Sequence, residues 1–197
     1  MKKKILFVIL GILVIGIGLF ILFRERKEED NIKFSKEYGS VSTQNVFVYK
    51  TADEIIKIME HGTGVVYLGF PECPWCNQYV KYLNEVAIDE GIDKIYYYNI
   101  LNDRKNNTDN YQKMVSLLGD NLQYDEEGNP RIYVPNVSFH INGEVIGNDY
   151  ETSFDTHGLD NPKDYWTDEE VKELKGNLSI YMKKVFKALN SCTDCNK

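Results

Sequence analysis

Gly64-Val65-Val66-Tyr67-Leu68-Gly69-Phe70-Pro71-Glu72-Cys73-Pro74-Trp75-Cys76 runs a continuous apolar stretch straight into two cysteines two residues apart. A charge-free run of this length is what a parallel strand buried on both faces requires. Beyond it, Tyr79, Leu83, Val86 and Ala87 recur at helical spacing, so the cysteine pair stands where a strand meets a helix. With Cys73 as N-cap, Pro74 takes the first helical position, where its missing N–H costs nothing, and Cys76 falls at N3 on the same side. Unpaired N–H groups and the helix dipole then favour a thiolate at Cys73, and a partly exposed low-pKa thiolate is the attacking species in thiol–disulfide exchange. The expectation is Cys73 as nucleophile and Cys76 as resolving thiol. Half a zinc site or a structural clip are the rival readings of a lone Cys-x-x-Cys; zinc needs two further ligands, and Pro74 argues against both.

Outward from this motif the pattern alternates between strand and helix. Residues 46–49 read as a short strand, and Thr51-Ala52-Asp53-Glu54 is a capping box that opens a helix with Ile55, Ile56, Ile58 and Met59 on its apolar side. Residues 94–100 read as a second strand, followed by a helix through Tyr111, Met114, Val115 and Leu118. Residues 121–131 form a polar connection. Residues 137–141 and 144–146 flank Asn142-Gly143, a strong hairpin signal. Pro135 stands immediately before that hairpin, at a Val134-Pro135 bond where a cis peptide is expected. A long acidic, aromatic loop over 148–166 precedes a last helix capped by Thr167-Asp168-Glu169-Glu170 and running through Leu174, Leu178, Tyr181, Val185 and Leu189. No repeat of solenoid period is visible.

The N-terminal part has a different character. Residues 5–23 are 19 consecutive residues that are all apolar or Gly, long enough as a helix to cross about 28 Å of hydrocarbon. Phe23 is followed at once by Arg24-Glu25-Arg26, with no small-residue cleavage site, so an uncleaved transmembrane signal anchor is expected. The divisions expected are a cytoplasmic N-terminus over 1–4, the membrane span over 5–23, a charged linker over 24–44, one domain over 45–190 and a tail over 191–197. All four cysteines lie far beyond the span as two equally spaced pairs, Cys73/Cys76 and Cys192/Cys195, and disulfide chemistry persists outside the cytoplasm. The soluble part is therefore expected to be extracytoplasmic, in a single-pass protein of the cell membrane. Residues 1–27 carry a net charge of +5 against −7 for the chain, leaving −12 on residues 28–197. Such a balance argues against nucleic acid as a partner.

In its order of strand, Cys-Pro-Trp-Cys, helix, strand, helix, Val-Pro, Asn-Gly hairpin and terminal helix, the segment 45–190 resembles the thioredoxin superfamily, over about three quarters of the chain. Among the members of that superfamily it looks like the membrane-anchored thioredoxin-like proteins of Gram-positive bacteria, including those called bacteriocin transport accessory proteins. The resemblance implies an α/β fold with a central mixed sheet flanked by helices. It makes Cys73 the attacking thiol, Cys76 the resolving thiol, Pro74 and Trp75 the active-site dipeptide, and Val134-Pro135 the loop that pairs with substrate backbone. It also implies a redox-active Cys73–Cys76 disulfide with no other cofactor and no metal, acting on exported cysteine-containing polypeptides. A membrane redox partner or a peptide export complex would be the companion. The rival function is a non-catalytic accessory or binding module of such an export system.

Several residues depart from the family pattern or stand outside it. Pro74-Trp75 and the preceding Glu72 are closer to glutaredoxins and periplasmic oxidases than to thioredoxin's Gly-Pro, and Tyr67 occupies the position of thioredoxin's buried aspartate, which leaves the proton acceptor for Cys76 unnamed. The connections over 120–131 and 148–166 are longer than a minimal thioredoxin's. His61, His140 and His157 show no metal-ligand spacing and read as structural or surface residues; His157 with Asp149, Glu151, Asp155 and Asp160 lacks the ordered ligand motif of a calcium site. Tyr96-Tyr97-Tyr98 reads as a strand with aromatic pairs. Cys192 and Cys195 are expected at the pole opposite the site, because the last helix should run away from it, with a local tail disulfide as the simplest state and a relay to another thiol protein as the alternative.

Overall fold

The computed structural model describes residues 30–149, 156–159 and 161–191. The expected span over 5–23, the tail pair Cys192/Cys195, and Glu151, Asp155 and Asp160 lie outside the described residues. Among the described residues no helix is long and apolar enough to cross a membrane.

The chain enters through helix α1, described over residues 30–37. It then runs β1 (Phe47–Tyr49), α2 (Ala52–His61), β2 (Gly64–Gly69), α3 (Pro74–Asp89), β3 (Ile95–Asn99), α4 (Leu101–Asn106) and α5 (Asp109–Leu118). A two-stranded β4 (Gln123–Tyr124) and β5 (Pro130–Arg131) follow, then β6 (Asn136–Ile141), β7 (Glu144–Asp149), the short α6 (Pro162–Tyr165) and α7 (Asp168–Ser191). This is a mixed α/β fold. Its five-stranded sheet has the order β1-β3-β2-β6-β7, in which β1, β3 and β2 pair parallel and β6 alone runs the other way, antiparallel to both β2 and β7.

Local chemistry accounts for most of these elements. The Thr51–Glu54 box is closed in both directions, the Thr51 side chain accepting from the Glu54 N–H and the Glu54 carboxylate from the Thr51 N–H, which satisfies two otherwise orphan donors. Asn142 and Gly143, at φ of 53° and 84°, supply the left-handed pair that a two-residue hairpin turn needs. A side chain on Gly143 would meet the Glu60 carbonyl 2.0 Å away, so the turn is also seated on the end of α2. All six residues of β2 are buried, as the middle strand of a covered sheet demands.

Tyr67 stacks on Tyr79 of α3, and Phe139 on Tyr181 of α7, placing α3 and α7 on one face of the sheet. α7 runs alongside α3 in the same direction: Trp166 packs on Tyr79 and Tyr82, Lys175 pairs with Glu85, and the Ser179 hydroxyl donates to Glu90. The last helix thus leads away from the cysteine motif, as expected.

Of the linker expected over 24–44, the described residues 30–44 are packed rather than extended. Phe34 and Tyr38 are wholly buried and Val41 nearly so. Phe34 stacks on Phe47 with ring centroids 3.8 Å apart and Tyr38 meets Tyr67 and Tyr97 edge-on, so the domain's core takes in chain from residue 34 onward, well ahead of residue 45. The 148–166 connection is also more built than a loop: Tyr165 and Trp166, around α6, are buried against α3. In α7 it is Met182 that completes the buried row with Leu174, Leu178 and Val185, whereas Leu189 is exposed where the helix outruns the sheet.

Candidate active site

β2 ends at Gly69, and the chain turns through Phe70-Pro71-Glu72 to bring Cys73 to the N-cap of α3. The Cys73 sulfur accepts a hydrogen bond from the Cys76 N–H at 3.2 Å, and Pro74 occupies the first helical turn. Asn77 braces the turn by donating its side-chain amide to the carbonyls of Pro71 and Cys73. Both cysteines are free thiols. Cys73 keeps 9% of its surface and Cys76 none, which gives one sulfur that a partner can reach and one it cannot.

The two thiols are electrostatically unlike. Cys73 is drawn down to about 7, first by the Cys76 thiol beside it, then by the N–H groups of Cys76 and Trp75 and the charge of Arg104, with burial opposing. Cys76 is held well above the ordinary thiol value, chiefly by burial and then by its neighbour Cys73. A thiolate at the more accessible position and a protonated thiol behind it is the distribution that attack followed by resolution needs.

Val134 and Pro135 reach the motif from the other side. Their peptide bond is cis, and the Cys73 thiol donates to the Val134 carbonyl at 3.9 Å. Pro74 is exposed and Trp75 half-buried, its ring 5.2 Å from that of Tyr165. All six residues singled out from the sequence therefore gather at the C-terminal end of β2.

Two residues complete the picture. Tyr67 projects on the α3 face of β2, and its hydroxyl lies over Gly69, where a side chain would sit 2.4 Å from it. That hydroxyl is fully buried and has no hydrogen-bond partner of ordinary geometry among the described residues. Burial dominates the upward push on Cys76; the Phe70 N–H opposes it, and the Tyr67 hydroxyl beside the thiol opposes it least. Behind it the Tyr38 hydroxyl donates to that of Tyr97 at 3.2 Å. Arg104 of α4 is the residue that sequence reasoning missed. Nothing local marks it, 31 positions after Cys73; only the pairing of Gly69 with Asn99 across β2 and β3 brings the start of α4 beside the motif.

The histidines stay apart from this site. His61 is exposed at the end of α2, His157 lies near Glu170 and Tyr165, and His140 is buried in β6 with its Nε2 2.9 Å from the Ser138 hydroxyl. Among the described residues no three His, Cys, Asp or Glu side chains gather as metal ligands would. No family model matches this chain, and neither a curated protein nor a solved structure does.

Proposed function

We propose that this protein is a thiol–disulfide oxidoreductase of thioredoxin-like fold, working through the Cys73–Cys76 dithiol on cysteine-containing exported polypeptides. The observation that carries the reading is the asymmetry of the pair: Cys73 capping α3 with a depressed pKa beside the Val134 carbonyl, and Cys76 buried behind it. The Cys73 thiolate attacks a substrate sulfur and forms a mixed disulfide, releasing the other substrate sulfur as a thiol. Cys76, giving up its proton, then attacks the Cys73 sulfur, freeing the substrate thiol and leaving the Cys73–Cys76 disulfide. The reverse sequence oxidises a substrate dithiol. The apolar stretch over 5–23 and the placement of the cysteines favour a single-pass membrane anchor with this domain outside the cytoplasm.

The test is exchange between a peptide disulfide and the full chain purified in detergent. Cys73→Ser should lose the reaction, and Cys76→Ser should accumulate the mixed disulfide. Undiminished exchange in Cys73→Ser would overturn the proposal, and normal support of peptide export by a Cys73→Ser, Cys76→Ser double variant in cells would favour an accessory module instead.

A further inference from the structure

Beyond residue 26 the chain has only two arginines, Arg104 and Arg131, against a large majority of lysines among its cations. Both line one cleft of about 430 Å³, together with Tyr111, Gln112 and Asp125. The ion pairs among the described residues use lysine or histidine; neither arginine takes part in one. Each is instead held by neutral groups. The Arg104 guanidinium lies 4.9 Å over the Phe70 ring and donates to the Ile132 carbonyl at 3.5 Å, and that of Arg131 lies 5.5 Å from the Tyr133 ring centre.

Asp125 is the one carboxylate lining the cleft among the described residues, and it forms no ion pair with either arginine: its carboxyl is held below the ordinary value first by the Asn129 N–H and only last by the Arg131 charge. Its Oδ1 is taken up by its own turn, accepting from the backbone N–H groups of Glu127 and Asn129 and from the Asn129 side chain. The Arg104 guanidinium is destabilised by its burial first and by the like charge of Arg131 second, with Tyr111 and the Cys73 and Cys76 sulfurs opposing.

Arg104 links the cleft to the cysteine pair, since its guanidinium lies over Phe70 and its charge favours the Cys73 thiolate. Phe70 stands three residues before Cys73, and Ile132 two before Val134, whose carbonyl touches the Cys73 sulfur. Arginine's planar fork matches a carboxylate with two parallel hydrogen bonds, and a partly desolvated setting strengthens them. On a segment carrying −12, a substrate with negative charge is otherwise repelled.

We propose that Arg104 and Arg131 form a carboxylate receptor beside Cys73, so that the preferred substrates are disulfide peptides bearing a carboxylate near the reacting cysteine. This rests on the oxidoreductase reading and adds the substrate's chemistry to it. The carboxylate comes from an aspartate or glutamate side chain or from a chain terminus, two sources that share one recognition.

The experiment compares exchange rates of the full chain, reduced and purified in detergent, with three matched peptide disulfides: an Asn neighbour with amidated ends, an Asp neighbour with amidated ends, and an Asn neighbour with a free C-terminal carboxylate next to the cysteine. At low salt at least one carboxylate peptide should react about fivefold faster than the neutral one, as a partly exposed ion pair allows, and which of the two does so identifies the source. The ratio should fall towards one in Arg131→Gln and in Arg104→Gln, and shrink as salt rises. Because each ratio is internal to one variant, a general loss of thiol reactivity cancels. Equal rates for all three peptides, or a ratio unchanged in both variants, overturns the receptor while leaving the oxidoreductase standing. Failure to exchange with any of them overturns both.

Discussion

The backbone N–H of Cys76 points at the sulfur of Cys73 from 3.2 Å, so one member of the pair caps the helix in whose first turn the other lies. That bond survives only while Cys73 can accept, and an anionic sulfur accepts better than a thiol. Reaction with iodoacetamide should therefore label Cys73 first, its rate climbing with pH to half its plateau near 7, where the depressed pKa lies. Mass spectrometry finding Cys76 labelled first would reverse the assignment.

Arg104→Gln removes the one arginine whose charge favours the Cys73 thiolate. The midpoint of the alkylation profile should move upward, with labelling at pH 6.5 slowed of order threefold. An unmoved midpoint would mean that the charge is screened out before it reaches the sulfur.

Tyr67→Phe deletes a buried hydroxyl that has no ordinary partner but opposes the upward push on Cys76. Thermal stability should change by less than about 1 kcal/mol, because the hydroxyl makes no hydrogen bond of ordinary geometry whose loss would be felt. Resolution of a trapped mixed disulfide should slow in the same variant. A drop in stability with unchanged resolution would make Tyr67 a purely structural residue.

Phe34→Ala should cost about 3–5 kcal/mol in urea unfolding, the loss typical of a wholly buried phenylalanine ring. A loss under about 1 kcal/mol would restore the free linker over this segment.

His140 is buried with its pKa depressed to about 4 from 6.5. The unfolded chain therefore binds a proton between these values that the folded one refuses, and stability present above pH 6.5 drains away as pH falls towards 4, by about 1.4 kcal/mol per unit while the two states differ. His140→Leu should flatten that part of the stability profile; an equally steep slope would assign it to other groups.

What could be read from the sequence follows how local each signal is. The Thr51 box, the Asn142-Gly143 turn and the β2–Cys73 junction are written in neighbouring residues, and they lie where expected. Phe34, Tyr38 and Val41 do stand at i, i+4 and i+7, but three apolar residues among charges fall short of a helix pattern until Phe47 and Tyr97 are there to receive them. β4 and β5, of two residues each, carry no period at all. Arg104 belongs to the site only through sheet order, and Leu189 keeps the helical spacing of its predecessors past the point where there is a sheet to cover it.

The burial of α1 also has a mechanical side. Whatever holds the chain ahead of residue 30, tension on it reaches the domain first through Phe34 and Tyr38, which lean on the rings of Phe47, Tyr67 and Tyr97. Ser40, two residues on, is fastened by its hydroxyl to the Asn77 carbonyl, one position past Cys76. The stem and the helix that Cys73 caps thus share one load path, so pulling on residues 34–40 bears directly on the cysteine pair.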